Sequence, residues 1–199
     1  IKFELLCYLR TEFDPLCITF NAKQENVIHS IEQKVSRKGE VTIEWQTYQV
    51  SQQDKLQRIE VISIPLPTHT SCAKFSPNQD MLLLCCIDGS ITLHDHTKGT
   101  NTSTKAGFIA TLASWHSDGF IFTIGNERGQ CQHYDISLSC IKSQILNEES
   151  TQTAVLDMSS YFKSQPPLIN ISWSKKVDNE IGYNDRYKNR DSILLLYFE

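Results

Sequence analysis

An all-β fold is what this sequence predicts, and three observations predict it. Two stretches superpose without a gap at an offset of 40 residues. In each, an apolar run is followed by a glycine turn and then by a shorter alternating run. The run from Met81 to Ile87 is apolar throughout its seven residues, as a strand covered on both faces requires. A 40-residue period with this internal order is that of a WD40-like β-propeller blade. Closed propellers have about 4–8 blades, and a seven-bladed ring needs roughly 290 residues or more. A chain of 199 residues therefore holds an incomplete ring, about three to four blades of a larger one.

Taken in chain order, residues 1–14 open with the apolar stretch Ile1 to Leu9 and read as an outer strand of a preceding blade. Residues 15–66 form one irregular blade, with strands at 16–20, 27–35, 41–50 and 56–64 separated by polar segments. Its clearest turns are Arg37-Lys38-Gly39-Glu40 and Ser51-Gln52-Gln53-Asp54, and Pro65-Leu66-Pro67 separates it from the next blade. Residues 67–106 are the first regular blade. A strand at 71–75 stops at Ser76-Pro77, because proline cannot extend the ladder. The apolar run 81–87 comes next, then the Asp88-Gly89 turn, where glycine supplies positive φ cheaply, then a strand ending at Asp95.

Residues 107–165 repeat this pattern. Trp115 lies over Phe75, Ile121-Phe122-Thr123-Ile124 over Met81-Leu82-Leu83-Leu84, Arg128-Gly129-Gln130 over Asp88-Gly89-Ser90, and Asp135 over Asp95. An outer strand is expected around 153–158. Residues 166–199 begin a further blade. Leu168-Ile169-Asn170-Ile171-Ser172-Trp173 alternates, and Trp173 takes the place of Phe75 and Trp115. A polar insertion at 175–191 reads as a surface loop, and an apolar strand at 193–198 succeeds it. The chain opens and closes inside apolar stretches, as a piece of a longer protein would.

Composition narrows the function. Nineteen Lys and Arg against 23 Asp and Glu leave a formal charge of −4, without the broad basic footprint of a nucleic-acid binder. A membrane helix needs about 20 apolar residues, so no transmembrane segment is expected, while peripheral attachment to a membrane stays open. The seven cysteines are odd in number, and no pair has the two-residue gap of a zinc knuckle. They read as small buried hydrophobes in a reducing, cytoplasmic setting.

The chemical candidates are few. His94 and His96 stand two apart, so on a strand they share a face and make a chelate geometrically feasible. No third ligand accompanies them, and His94 stands where the repeat usually carries Trp. No metal site is therefore assigned. Asp88, Gly89, Asp95, Gly129 and Asp135 are read as structural repeat positions whose hydrogen bonds and backbone freedom pin the hairpin turns. Gly39, Gly119 and Gly125 are likewise placed at turns. No Gly-x-Ser-x-Gly elbow and no phosphate loop occurs, so no cofactor and no catalytic residue is assigned. Lys34, Arg37 and Lys38 form a basic cluster, as do Lys175 with Lys176, and Arg186, Lys188 and Arg190 beside Tyr183 and Tyr187. These read as solvated turns, with an acidic partner surface as the alternative.

Arg10-Thr11-Glu12-Phe13-Asp14-Pro15-Leu16 resembles an Arg-Thr-Glu-Trp-Asp-Pro-Leu segment of the WD repeat-containing planar cell polarity effector (Fritz) family. Pro65-Leu66, Asp88-Gly89-Ser90, the Gly129 to Ser139 run and the closing Leu195-Leu196-Tyr197-Phe198-Glu199 are similar to that family too. The chain departs from the pattern at Phe13, in place of the Trp, and in the 175–191 insertion. The resemblance implies a non-enzymatic scaffold, a propeller region followed by helices. It implies partners as well: Inturned and Fuzzy, with septins, actin and a small GTPase downstream. It places the protein in the cytoplasm and cytoskeleton at the ciliary base or basal body, and at the plasma membrane. Two alternatives stand beside it. One is the propeller of another trafficking, coat or intraflagellar transport protein. The other is a propeller enzyme with catalytic groups converging on the channel, where the strand at 111–115 carries no cluster of His, Asp or Arg.

Overall fold

The computed structural model describes residues 11–51, 55–141, 155–157, 167–173 and 194–198. These residues form fourteen strands and no helix. Three four-stranded antiparallel sheets and one strand pair succeed one another in chain order, each a meander. The first holds β1 (Asp14–Phe20), β2 (Val27–Val35), β3 (Val41–Val50) and β4 (Leu56–Leu66). The second holds β5 (Thr70–Phe75), β6 (Met81–Cys86), β7 (Ser90–Asp95) and β8 (Thr100–Lys105). The third holds β9 (Leu112–Trp115), β10 (Ile121–Gly125), β11 (Gln130–Asp135) and β12 (Val155–Asp157), and β13 (Leu168–Trp173) pairs with β14 (Leu194–Phe198).

The sheets stack through their first strands: β1 lies against β5, β5 against β9, and β9 against β13. That is the stacking of propeller blades around a common axis. The strand β6 shows why its sequence is apolar at every position. Leu82, Leu84 and Cys86 enter the core shared with the first sheet, whereas Leu83 and Cys85 enter the core shared with the third. All five are essentially fully buried. Burying each leucine contributes about 2 kcal/mol, so this strand ties three blades together.

Two turn readings are corrected. Pro65 and Leu66 do not separate blades but belong to β4, paired with Thr42 and Val41. Proline is tolerated there because β4 is the outermost described strand of its sheet. Gly125 is not in a turn but ends β10. A Cβ placed on it would meet Ile171 Cδ1 at 2.5 Å, Cys131 Sγ at 3.1 Å and the Gln130 carbonyl oxygen at 3.2 Å, so the buried Ile171 side chain would have to shift to admit one. Gly125→Ala is expected to destabilise the contact between the third and fourth blades by about 1–3 kcal/mol, the ordinary cost of overpacking. A chemical denaturation curve of the full-length protein checks it, and an unchanged midpoint would contradict the close approach.

The outer strand β8 carries no apolar signal in the sequence. Its residues Thr-Asn-Thr-Ser-Thr-Lys are polar, and all but Thr104 are exposed. The turn between β5 and β6 also differs from its repeat partner. Where the third blade uses Gly119 at φ +75°, the second uses Gln79 at φ +61°. The Gln79 side chain accepts from Ala22 N at 2.9 Å and donates to Phe20 O at 2.6 Å, so it clamps the first blade to the second. The stretch Ile1 to Leu9, most of the 51–54 turn and the 175–191 insertion lie outside the described residues.

Candidate functional site

The repeat positions are built from short side chains that reach back to nearby backbone. Asp88 Oδ1 accepts from Ser90 N at 3.0 Å and from Ser90 Oγ at 2.5 Å, and Lys105 Nζ sits 2.6 Å from Oδ2. Asp95 Oδ1 accepts from Lys98 N at 3.0 Å. Its repeat partner Asp135 accepts from Ser137 N at 2.9 Å and Ser139 N at 3.0 Å. Gly89 and Gly129 share φ +77°. Residue Arg128, which lies over Asp88, does not do the work of that carboxylate. Asn126 does, its Oδ1 accepting from Arg128 N at 3.1 Å and Gln130 N at 3.2 Å. The sequence reading missed Asn126 because the acceptor moved two positions along the turn.

These carboxylates sit below the ordinary range. The Lys98 ammonium, hydrogen-bonded to Asp95, brings it down to about 2. The Lys105 bond and the Ser90 bonds hold Asp88 lower still, and the Ser137 hydroxyl lowers Asp135. A carboxylate with a depressed folded pKa adds stability above its unfolded value, near 4. That stability is lost as pH falls through the folded pKa. The urea midpoint of the full-length protein is therefore expected to fall between about pH 4 and pH 2. Asp95→Asn should flatten part of that slope, and an unchanged slope would refute the assignment.

The aromatic side chains at the ends of the first strands form the seams between blades. Phe75, ending β5, packs 4.8 Å from the Trp45 ring and 5.7 Å from the His29 ring of the first sheet. Trp115, ending β9, donates its indole N–H to Lys74 O at 3.2 Å and packs 5.0 Å from Phe122. Trp173, ending β13, donates to Thr123 Oγ1 at 3.0 Å, and its ring lies 5.0 Å from His116 and 5.9 Å from His133. His94 and His96 both turn toward Trp45, at 6.2 and 4.7 Å, and His94 Nδ1 lies 2.8 Å from Asn101 Oδ1. Among the described residues no group of three His, Cys, Asp or Glu is placed to hold a metal ion. The described cysteines are free thiols. Burial pushes Cys72 up to about 11 and Cys131 up to about 12, which suppresses the reactive thiolate.

A second polar arrangement escaped the sequence reading. On the face of the first sheet turned away from the second, Glu32 is fully buried and Glu44 nearly so, and the two are register partners. Glu32 Oε2 accepts from the backbone N–H groups of Glu12 and Phe13, each at 3.1 Å, and Oε1 accepts from Ser30 Oγ at 3.0 Å. Glu12 Oε1 lies 3.5 Å from Arg58 NH1, and Lys34 Nζ stands 5.1 Å from the Phe13 ring centre. The segment that begins at Thr11 thus straps across β2 and reaches β4. Lys34 is engaged in this strap, while Arg37 and Lys38 are exposed at the β2–β3 turn. The remaining basic residues and Tyr183 and Tyr187 lie outside the described residues.

A profile of the WD repeat-containing and planar cell polarity effector protein Fritz matches residues 1–198. The chain belongs to the Fritz family. The fritz protein of Drosophila melanogaster is 34% identical over 200 residues, covering 100% of this chain and 21% of that protein. The fritz homolog of Homo sapiens is 30% identical over 86% of this chain and 23% of its own length. That of Mus musculus is 31% identical over 85% and 23%. The chain thus spans under a quarter of the length of these relatives. Among solved structures, the WD40 repeats of RRP9 align with a TM-score of 0.54 at 9% identity over 82% of this chain and 43% of that one. The U3-55K structure gives 0.54 and 9%, over 82% and 44%. At that identity the likeness concerns fold alone. The Fritz-family chain is part of a WD40-type propeller that covers less than half of either neighbour.

Proposed function

We propose that this chain is a non-enzymatic interaction scaffold of a planar cell polarity effector, acting with Inturned and Fuzzy in ciliogenesis and in septin and actin organisation. Cooperation with a small GTPase and placement in the cytoplasm and cytoskeleton at the ciliary base belong to the same reading. The family match across residues 1–198 is the observation that carries it. The blade architecture supports it, because propellers offer rims and faces to partners and vary them without touching the core. Asp88, Gly89, Asp95, Gly129 and Asp135 are structural positions in this reading, and the blades divide at 14/15, 66/67, 106/107 and 165/166. No helix among the described residues is long and apolar enough to cross a membrane, and peripheral association with a membrane belongs to the same reading. The test is co-purification of the full-length protein with Inturned and Fuzzy. Deleting residues 15–165 is expected to abolish recovery of both, and normal assembly after that deletion would refute a scaffolding role for this segment.

A further inference from the structure

The three seams repeat one pattern. The last residue of β5, β9 and β13 is Phe75, Trp115 or Trp173, and each packs against the sheet before its own. The residue two positions earlier, Ala73, Ala113 or Ile171, is buried in the same seam. The strand β1 keeps that register. Phe20 ends it and pairs with Ile28, the second residue of β2, as Phe75 pairs with Leu82 and Trp115 with Phe122. Ile18 pairs with Ser30, the fourth residue, as Ala73 pairs with Leu84 and Ala113 with Ile124. No described sheet precedes the first one in the chain, and Phe20 and Ile18 are 71% and 56% exposed. On the outermost strand of the same face Val61, opposite Gln46, is half-exposed. The middle of the face differs from its counterparts. Ser30 and Glu32 stand where β6 carries Leu84 and Cys86, and the strap from Thr11 already satisfies Glu32. Apolar side chains left in water at both edges of one sheet face mark an interface.

We propose that this face is a fourth seam, covered in the full-length protein by a further four-stranded blade of the same polypeptide. The seams already present identify the occupant. Two counterparts of Phe20 are received by the middle strands of the neighbouring sheet. Phe75 meets His29 on β2 and Trp45 on β3, and Trp173 meets Thr123 on β10 and His133 on β11. Residues two apart on a strand share a face, so one sheet stacked at about 10 Å receives Phe20 and Ile18 together. The polypeptide has the length for it, because the match leaves more than three quarters of each Fritz relative outside. The WD40 neighbours point the same way, as the chain covers less than half of either. The polar middle of the face sets a requirement on the incoming blade. It is apolar opposite β1 and leaves the strap and Glu32 in place, so its grip is concentrated on the innermost strand. This seam holds whichever partners the scaffold binds.

Hydroxyl-radical footprinting of the purified full-length protein reads the face without any substitution. Phe120, 63% exposed at the turn between β9 and β10, and Phe122, fully buried, serve as internal standards. Phe20 is expected to oxidise as slowly as Phe122. Oxidation at the rate of Phe120 would show an open face and overturn the proposal. Lysine cross-linking identifies the occupant, starting from Lys23, exposed in the turn after Phe20. The sample is a mixture of ordinary and isotope-labelled protein. Cross-links from Lys23 to polypeptide outside these 199 residues, within one molecule, are expected. Links joining an ordinary to a labelled molecule would make a second copy the occupant. Links confined to the 199 residues would mean that this segment covers its own face. Either result overturns the assignment to a further blade, as does the absence of any link. Phe20→Asp sets a carboxylate in the seam and should lower the denaturation midpoint, whereas Phe120→Asp should leave it unchanged. Equal midpoints for the two variants would count against the seam, and the footprint of the unsubstituted protein decides the matter where a variant does not fold.

Discussion

Trp45→Ala is expected to destabilise the first seam by about 3–5 kcal/mol, the cost of truncating a buried tryptophan. Trp45 is 2% exposed and lies in a core with Ile31, Ile43, Ile64, Leu82 and Leu84 from two blades. Its ring also meets Phe75 at 4.8 Å across the seam. Truncation therefore opens a cavity between blades rather than inside one, where neither sheet can close over it without shifting its own ladder. The indole partner of His29 Nδ1 is lost as well. Trp45→Phe retains most of the buried area and loses only the N–H, so about 1 kcal/mol is expected. Chemical denaturation of the full-length protein reads both variants. Amide exchange localises the loss: protection should fall in β6 and β7 and persist in β10 and β11. A change under about 1 kcal/mol for the alanine variant would show that Trp45 does not join the blades.

The strands that bury both faces were the legible part of this fold. β2 and β3 occupy the residues expected of them, and β6 stands where seven consecutive apolar residues stood, because a propeller's middle strands have a blade on either side. What stayed hidden did so for identifiable reasons. The outer strand β8 touches solvent on nearly every residue, so its sequence lacks the hydrophobic period that marks a strand. Gly125 looked like a turn because glycine usually is one. Its actual reason is a side chain from the next blade, Ile171, which is distant in sequence. Asn126 was overlooked because the repeat alignment pointed at position 128, while the turn accepts an oxygen two residues earlier. The polar side of β2 and β3 is the most instructive case. Ser30, Glu32, Glu44 and Gln46 alternate with Ile31, Ile43 and Trp45, a pattern that normally means one face in water. All four are buried. Local alternation records which side chains are polar, and only tertiary contacts reveal that a strap and cross-strand partners have replaced the water.

That buried face yields the second large effect. Glu32→Ala removes the acceptor of two backbone N–H groups and one hydroxyl at once. Only the Ser30 hydroxyl is fully buried, while the two amides belong to a partly exposed segment and can turn to water once freed, so the lost bonds rather than orphaned donors set most of the cost. A loss of about 1–3 kcal/mol is expected, together with release of the strap. Glu32→Gln separates the two contributions. A glutamine can keep its oxygen on Glu12 N and Phe13 N and turn its amide toward Ser30, whose hydroxyl can accept as well as donate. Only the charge is then lost, and about 1 kcal/mol is expected. Amide exchange at residues 12 and 13 reads the strap directly. Protection there should vanish in the alanine variant and survive in the glutamine variant. Equal losses for both would mean that the carboxylate charge, rather than the pattern of acceptors, holds the strap. Unchanged protection in both would mean that the Phe13 ring under Lys34 and the Glu12–Arg58 pair are sufficient, and that the segment carrying the family motif is fastened by its side chains rather than by its backbone.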